Sequence, residues 1–207
     1  MRATLLLAAC LVLPACASYA GDGGLHDAYS REGAYVSAAA VTGIEMFGQA
    51  PPFESADNSD LGFSARVGYR GKNGCAIELF AEDVDGYALN ASFDSTEMEF
   101  QSIGLNGKVF FTEGRVQPYG LLGVGWTRIL FSERELTDPT TFEVFKAPNA
   151  NDVLLVRGGL GVDVYVTDSI AFFLEGSYNY QMSQPGTDLR VNDFGHIQAL
   201  LGITYRF

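Results

Sequence analysis

Three scarcities in this sequence of 207 residues narrow the choice of fold. Beyond residue 20, no apolar run is long enough for a membrane-spanning helix, which needs about 20 residues. Cysteine is scarce, and because Cys75 stands alone beyond that point, we expect a half-buried free thiol and no disulfide framework in the mature chain. The 13 basic residues are outnumbered by 25 acidic ones, and the resulting net charge of −12 argues against nucleic-acid binding.

The first twenty residues have the features of a secretory signal peptide. Arg2 precedes an apolar run over 3–13, and small residues follow up to Ala20. We predict a signal peptide at 1–20, a periplasmic N-terminal linker at 21–32 and one folded domain at 33–207. An alternative is lipoprotein processing at Cys16, because residues 13–16 resemble a lipoprotein box, although Pro14 fits that box poorly.

Glycine and aromatic residues are abundant in the remaining sequence. The chain is 47% hydrophobic and 13% aromatic, and it contains 24 glycines. For an exported chain without a spanning helix, this composition favours β-structure. A closed barrel is then the one way to cross a bilayer, because every backbone N–H and C=O must find a partner there.

Eight segments read as strands, and several of them alternate clearly between apolar and polar residues: 33–41, 61–70, 75–83, 97–111, 117–130, 153–166, 170–180 and 194–207. Short connections (70–74, 112–116, 167–169) alternate with long, mainly acidic ones (42–60, 84–96, 131–152, 181–193). Both regularities are typical of outer-membrane barrels, whose short turns are periplasmic and whose long loops are extracellular. We therefore predict an all-β fold: an eight-stranded antiparallel transmembrane β-barrel.

The C-terminal segment has the clearest pair of faces. One face is apolar and ends on an aromatic residue: Leu201, Ile203, Tyr205 and Phe207. The other face carries His196 and Arg206. Since successive side chains of a strand point to opposite sides, we expect the apolar face to meet lipid and the other face to point into the barrel.

The sequence resembles the small eight-stranded outer-membrane barrels of the OmpA/OmpX and opacity-protein type. Residues 117–126 (QPYGLLGVGW), residues 173–178 (FLEGSY) and the terminal Phe207 carry this resemblance, which covers about 33–207. It implies a location in the bacterial outer membrane, in contact with lipid and lipopolysaccharide. It also implies that Leu201, Ile203, Tyr205 and Phe207 form the signal read by the outer-membrane assembly machinery.

Charged residues on the second face of the strands are expected to fill the barrel. The interior set is Arg66, Glu78, Arg157, Asp163, Glu175 and Arg206, to which Lys108, Arg128 and His196 are added. An eight-stranded barrel is just wide enough for side chains to fill it, and mixed signs favour pairing. We therefore prefer a salt-bridged plug over an ion pathway, and we expect Trp126 and Tyr165 to occupy space left by nearby glycines.

No residue pattern indicates a catalytic, cofactor or metal site. A lipid-A deacylase on this type of barrel would place a serine close to a histidine, but His196 has no serine two residues away; Ser177 on another strand is the open alternative. The segment from Asp83 to Gly86 resembles part of a calcium loop but lacks the later ligands, so a solvated loop is preferred. We expect no cofactor.

The function predicted from these features is non-enzymatic: a structural or surface-exposed outer-membrane protein with a filled interior. Two alternatives stay open, an adhesin that binds a surface ligand through its acidic loops and a small channel, while a lipid-A-modifying enzyme is the least favoured. For the third long loop we prefer a short hairpin that extends the barrel above the membrane. The alternative is that its Phe142 and Phe145 form an apolar contact for such a ligand.

Overall fold

A computed structural model describes residues 29, 31–45, 53–57, 60–91, 94–131, 135–137, 144–146, 150–182 and 194–207. These residues form eleven strands: β1 (Gly33–Glu45), β2 (Phe53–Asp57), β3 (Asp60–Arg70), β4 (Cys75–Ala91), β5 (Asp94–Phe110), β6 (Val116–Phe131), β7 (Glu135–Thr137), β8 (Val144–Lys146), β9 (Ala150–Tyr165), β10 (Ile170–Met182) and β11 (Phe194–Arg206). The described residues include no helix that is long and apolar enough to span a membrane.

Eight of the strands close into one antiparallel barrel, as the sequence predicts. Their order around the barrel is β4, β3, β1, β11, β10, β9, β6 and β5, and β5 pairs with β4 again to complete the circle. The first and last barrel strands meet in a long register that runs from Tyr35 opposite Arg206 to Glu45 opposite His196. Closure leaves no free edge among these eight strands, so every strand finds hydrogen-bonding partners on both sides.

The barrel has an apolar outer surface and a largely polar interior. Along β10 buried and exposed residues alternate without interruption from Ala171 to Asn179. The outward residues of the strands form an apolar belt that includes Val67, Ile77, Leu79, Ile103, Leu105, Leu122, Val124, Leu160, Leu174, Leu201 and Ile203. A continuous belt of this kind is far larger than a water-soluble monomer exposes, so it must be covered by another apolar phase.

Three short connections define one end of the barrel, which we call the turn end. In the turn between β3 and β4, Gly74 has φ +71°, a left-handed conformation that glycine adopts without strain. In the turn between β9 and β10, Thr167 Oγ1 accepts from the backbone N–H of Ile170 at 3.0 Å, and this contact fixes the reversal.

The opposite end, which we call the loop end, extends further than the sequence predicts. β4 and β5 continue as a hairpin to the pair Ala91–Asp94, so most of the predicted loop over 84–96 is strand. β2 pairs with this extension of β4 and lies inside the predicted loop over 42–60. In the third loop, β7 and β8 form the short hairpin that the sequence analysis prefers, with Leu136 opposite Phe145.

The state of Cys75 differs from the expected free thiol. This residue lies at the start of β4, as predicted, but it is buried and not half-buried, and it is disulfide-bonded to a cysteine outside the described residues. The prediction of a free thiol is therefore wrong. The predicted signal peptide, its cleavage and the alternative processing at Cys16 also lie outside the described residues.

Candidate functional site: the closed barrel interior

A network of direct ion pairs fills the middle of the barrel. The Arg66 guanidinium donates to both carboxylate oxygens of Glu175, at 2.9 Å each, in a two-pronged pair that joins β3 to β10 across the interior. Lys108 Nζ lies 2.8 Å from Glu78 Oε2, and Arg66 reaches the same carboxylate at 3.3 Å. Tyr119 donates its hydroxyl to Glu175 at 2.9 Å. These side chains are buried, so each charge is neutralised by contact with its neighbours and not by water.

A second group of contacts lies closer to the loop end. Two nitrogens of Arg157 donate to the two oxygens of Glu82, at 2.8 Å each, which links β9 to β4 across the barrel. Arg157 also donates to Gln198 at 2.6 Å and to Asn179 at 2.9 Å. Every nitrogen of this guanidinium therefore has an acceptor, which is the condition for burying an arginine at low cost.

An apolar layer closes the interior on the loop side of these networks. Val41, Val84, Phe100, Ile129 and Val153 point inward from five different strands, and all are buried. The same cluster includes Ala39, Phe173 and Leu200. The His196 ring packs against Phe100, with 6.0 Å between the ring centroids, so the layer is mainly but not wholly apolar. Packed side chains therefore fill the described interior at this level.

At the turn end, the chain preceding β1 lies against the barrel mouth. Arg206 donates to the backbone oxygen of Tyr29 at 2.7 Å, and Gln117 Nε2 donates to the same oxygen at 3.1 Å. The Tyr29 ring rests on Tyr165, with 5.7 Å between the ring centroids. The segment just before β1 is thereby tied to the end of β11 and to the start of β6.

Glycines let two of the buried tyrosines lie flat against neighbouring strands. Tyr119 on β6 is paired with Gly161 on β9, and Tyr35 on β1 is paired with Gly68 on β3. A Cβ at either glycine would collide with the tyrosine ring. Glycine and aromatic residue therefore act together, and the ring replaces the side chain that the glycine lacks.

The predicted interior residues are largely where the alternation places them. Each member of the predicted interior set is buried inside the barrel: Arg66, Glu78, Arg157, Asp163, Glu175 and Arg206. Lys108 and His196 are also inside.

Arg128 and Trp126 face outward, contrary to prediction. Arg128 lies near the loop end, and its side chain is 56% exposed and pairs with Asp152 at 3.0 Å. Trp126, expected among the interior glycines, is 61% exposed on the same face of β6. The predicted C-terminal set, Leu201, Ile203, Tyr205 and Phe207, lies on the outer surface, where Tyr205 and Phe207 contact each other edge to face.

Two interior charges were missed by the sequence analysis. Glu82 is the acceptor for Arg157, and Arg70 is buried at the turn end over the Phe110 ring, 4.0 Å from its centroid. The alternation along the strands could have predicted both positions. Glu82 lies on the same face of β4 as Glu78, and Arg70 lies on the same face of β3 as Arg66. Of the loop contacts, Phe142 lies outside the described residues, and Phe145 is described only as a backbone position in β8.

The arrangement of His196 and Ser177 does not form a nucleophile–base pair. His196 Nε2 lies 3.3 Å from the Asn179 amide nitrogen, while Ser177 Oγ is buried without a hydrogen-bond partner. Both side chains are buried in the barrel interior, and His196 contacts the ring of Phe100.

Acidic side chains gather outside the barrel at its loop end. The carboxylates of Asp83, Asp85 and Glu99 have oxygens within 4.8 Å of one another. Asp85 is exposed, whereas Asp83 and Glu99 are partly buried. Partial burial and the Asp85 carboxylate raise the pKa of Asp83. Exposed carboxylates commonly lie together without an ion, so this cluster alone defines no metal site.

A closed eight-stranded barrel with an apolar belt and a plugged, charged interior defines a small outer-membrane β-barrel protein. The family model of the outer membrane protein beta-barrel domain matches residues 3–207, and the chain belongs to this family. The apolar belt is thus the lipid-facing surface, and the protein resides in the bacterial outer membrane. The turn end is periplasmic and the loop end extracellular.

Several solved structures share this fold. The chain is similar to neisserial surface protein A (22% identity over 84% of this chain and 97% of that one, TM-score 0.53). It is also similar to Ail, the attachment invasion locus protein of Yersinia pestis (19%, 86% and 100%, TM-score 0.54), and to OprG from Pseudomonas aeruginosa (16%, 87% and 98%, TM-score 0.54). At these identities the likeness concerns the fold. No curated protein matches the sequence.

Proposed function

We propose that this protein is a non-enzymatic, non-conducting outer-membrane barrel that serves as a rigid scaffold for its extracellular extension. The observation that carries the proposal is the double closure of the interior. A direct ion-pair network crosses the middle of the barrel, and the apolar layer around Phe100 lies between that network and the extracellular end. Such an interior favours stability over transport.

Conductance in planar bilayers tests the closed interior. We expect no steps of current from the refolded protein, because an ion would have to pass both the packed layer around Phe100 and the direct ion pairs of the central network. A heat-dependent gel shift of protein recovered from the same membrane controls for insertion of the folded barrel, and a known porin controls for the sensitivity of the recording. Regular current steps from inserted protein would reject the proposal in favour of the channel alternative.

A second candidate function is binding of a surface ligand by the extracellular extension. The observation in its favour is that β4 and β5 continue past the lipid belt and gain β2 at their edge, while β7 and β8 build a second hairpin. Ordered strands above the membrane can hold side chains in fixed positions, which flexible loops do not.

The charge of this extension bears on the class of ligand. Asp83, Asp85 and Glu99 give its base a negative surface. Ail has been crystallised with the heparin analogue sucrose octasulfate, which is a polyanion. An acidic surface repels polyanions, so we propose that a ligand of the present protein is neutral or cationic.

Replacing residues 132–149 by a short Gly-Ser linker tests this second function. Adhesion of cells that display the variant should fall if the β7–β8 hairpin makes the contact, and a Gly-Ser replacement within the periplasmic turn over 112–115 provides the control. Equal adhesion by both variants at equal surface level would remove this candidate.

We also propose that the outer-membrane assembly machinery recognises the terminal strand.

A further inference from the structure

The chain just before β1 extends over the periplasmic mouth of the barrel. Its described residues are Tyr29, Arg31 and Glu32, which we call the strap. Tyr29 precedes the start of β1 at Gly33 by only four residues, yet its backbone oxygen accepts a hydrogen bond from Gln117 of β6 at 3.1 Å. β6 is four strands away from β1 in either direction around the barrel, so it forms the opposite wall. The strap therefore lies across the mouth and does not follow its rim.

Side chains from several walls hold the strap in this position. Arg206 of β11 donates from Nη1 to the backbone oxygen of Tyr29 at 2.7 Å and to that of Arg31 at 3.3 Å. The Tyr29 ring packs against Tyr165 of β9, and the Arg115 guanidinium lies 5.8 Å from the centroid of the Tyr29 ring. These partners come from distant parts of the sequence, and the closed barrel brings them to one place.

The strap also bridges the seam of the barrel, by which we mean the pairing of β1 with β11. It is continuous with β1, whereas Arg206 belongs to β11, so the hydrogen bonds of Arg206 Nη1 join the two sides of the seam. Beside them, the backbone N–H of Phe207 donates to the backbone oxygen of Ala34 at 3.0 Å. Separation of β1 from β11 at this end therefore requires that the strap leave Arg206 first.

Side-chain packing across the middle of the seam is modest. Three consecutive alanines of β1, at 38–40, lie opposite β11. Cross-strand pairs stabilise a sheet mainly through contacts between larger side chains, and alanine contributes little to such contacts. The strap thus adds a link to a pairing that side chains support weakly along part of its length.

We propose that the strap locks the β1–β11 seam. The groups that hold it meet only when the barrel closes, so the strap docks after the barrel has formed. It must leave before the seam opens, and its release adds to the barrier for unfolding. The lock therefore slows unfolding without accelerating folding, because a contact that is absent from the transition state changes the unfolding rate alone. This role is independent of the extracellular functions proposed above.

Two truncations of the mature chain test the lock. A chain that begins at Gly33 lacks the strap, and a chain that begins at Asp27 keeps it. Folding and unfolding rates are measured in lipid vesicles after jumps in urea concentration, with the fluorescence of Trp126 as the signal. Because the Gly33 chain lacks the hydrogen bonds from Arg206 and Gln117 to the strap, it should unfold about tenfold faster than the Asp27 chain. Its folding rate should stay within about twofold of that of the Asp27 chain.

Removal of the guanidinium that crosses the seam gives a second measurement. Arg206→Gln should accelerate unfolding more in the Asp27 chain than in the Gly33 chain, because only the former has a strap to release. The comparison separates the contact with the strap from the other contacts of Arg206, which both chains retain, such as its donation to the backbone oxygen of Asp168 at 3.0 Å.

Engineered disulfides show where the strap acts. Ala38→Cys with Ile203→Cys spans the seam, and Ala65→Cys with Ala81→Cys spans β3 and β4; each pair lies at directly opposite, outward-facing positions. Both are made with Cys75→Ser, and the reduced form of each is its own reference. With the seam cross-linked, removal of the strap should change the unfolding rate by less than about twofold. With the β3–β4 cross-link, the acceleration of about tenfold should remain.

Equal unfolding rates of the two truncated chains would overturn the proposal. So would a folding rate that falls as much as the unfolding rate rises, or an acceleration that the seam cross-link leaves unchanged. A Gly33 chain that does not fold would contradict it as well, because the strap would then act before the barrel closes.

Discussion

Replacement of Glu175 by glutamine tests whether the central network holds the barrel together. Glutamine keeps the shape of the side chain but removes the charge that accepts two hydrogen bonds from Arg66, at 2.9 Å each. It also removes the anionic acceptor of the Tyr119 hydroxyl. After the change, Arg66 retains its longer contacts, at 3.3 Å, to the carboxylates of Glu78 and Glu82, and its hydrogen bond to Ser64 Oγ at 3.1 Å.

The expected loss follows from the burial of the pair. Removing one partner of a buried ion pair costs about 3–5 kcal/mol, because the other charge is left without compensation. The two remaining carboxylates and the amide oxygen of the glutamine offset part of this cost. We therefore expect the free energy of unfolding to fall by about 3 kcal/mol, which is an approximately 150-fold change in the folding equilibrium.

Urea titration of the refolded protein in detergent micelles measures this loss, with the fluorescence of Trp126, the one tryptophan of the chain, as the signal. Asp152→Asn is the matched control. It removes the ion pair between Asp152 and Arg128, whose side chains are 62% and 56% exposed, respectively. The free energy of unfolding should therefore change by less than about 1 kcal/mol.

Coupling between the two partners gives a stricter form of the same test. If Arg66 and Glu175 act through their direct contact, Arg66→Met combined with Glu175→Gln should cost less than the sum of the single changes. A folded Glu175→Gln barrel with wild-type stability would refute the reasoning, and so would strict additivity of the two changes.

Three further changes test the packing, the terminal strand and the lipid-facing belt. Gly161→Ala should lower the free energy of unfolding by about 1–3 kcal/mol in urea titration, because the added Cβ would displace the Tyr119 ring. Gly176→Ala should be neutral, because the space around its added Cβ is open. Equal effects of the two changes would contradict the role of the ring. Deletion of Phe207 should lower the surface level of the barrel in cells, and a normal level would count against an assembly signal in the last strand. Leu201→Arg should cost about 2–4 kcal/mol in vesicles, because Leu201 is 63% exposed on the lipid face, and an unchanged stability would place this position outside the hydrocarbon.

The strands and the barrel class followed from the sequence because lipid and interior impose opposite demands on alternate residues. Once one residue of a strand is assigned to a face, every second residue of that strand shares the face. The same rule could have placed Glu82 inside with Glu78, and it contradicts an inward Arg128. On β6 the odd-numbered Gln117 and Tyr119 are buried, so the even-numbered Arg128 must point outward. The error arose from treating a cation as interior by chemistry alone, although a cation near the loop end can reach water.

The pairing inside the barrel did not follow from the sequence. Arg157 and Glu82 lie on β9 and β4, which are not neighbours in the sheet, and they meet only because the closed barrel brings opposite walls together. Alternation predicts whether a side chain points into the barrel or towards lipid. It does not predict the position of that side chain along the barrel axis or which residue lies opposite it. Arg70, Asp163 and Arg206 line one small cavity near the turn end. They belong to three different strands, so an alternation pattern read along one strand does not predict that they meet.

β2 and the far ends of β4 and β5 were not predicted, for a different physical reason. Beyond the lipid belt a strand is not required to present one apolar and one polar face, and the sequence of β4 after Asp85 shows no regular alternation. β4 and β5 nevertheless remain paired there. Their pairing continues because backbone hydrogen bonding between β4 and β5 does not depend on which side chains are apolar. The part of the chain that membrane physics constrains least is therefore also the part exposed to other molecules. The proposed ligand-binding function would therefore depend on side chains of this extension, where sequence can change without loss of the barrel beneath it.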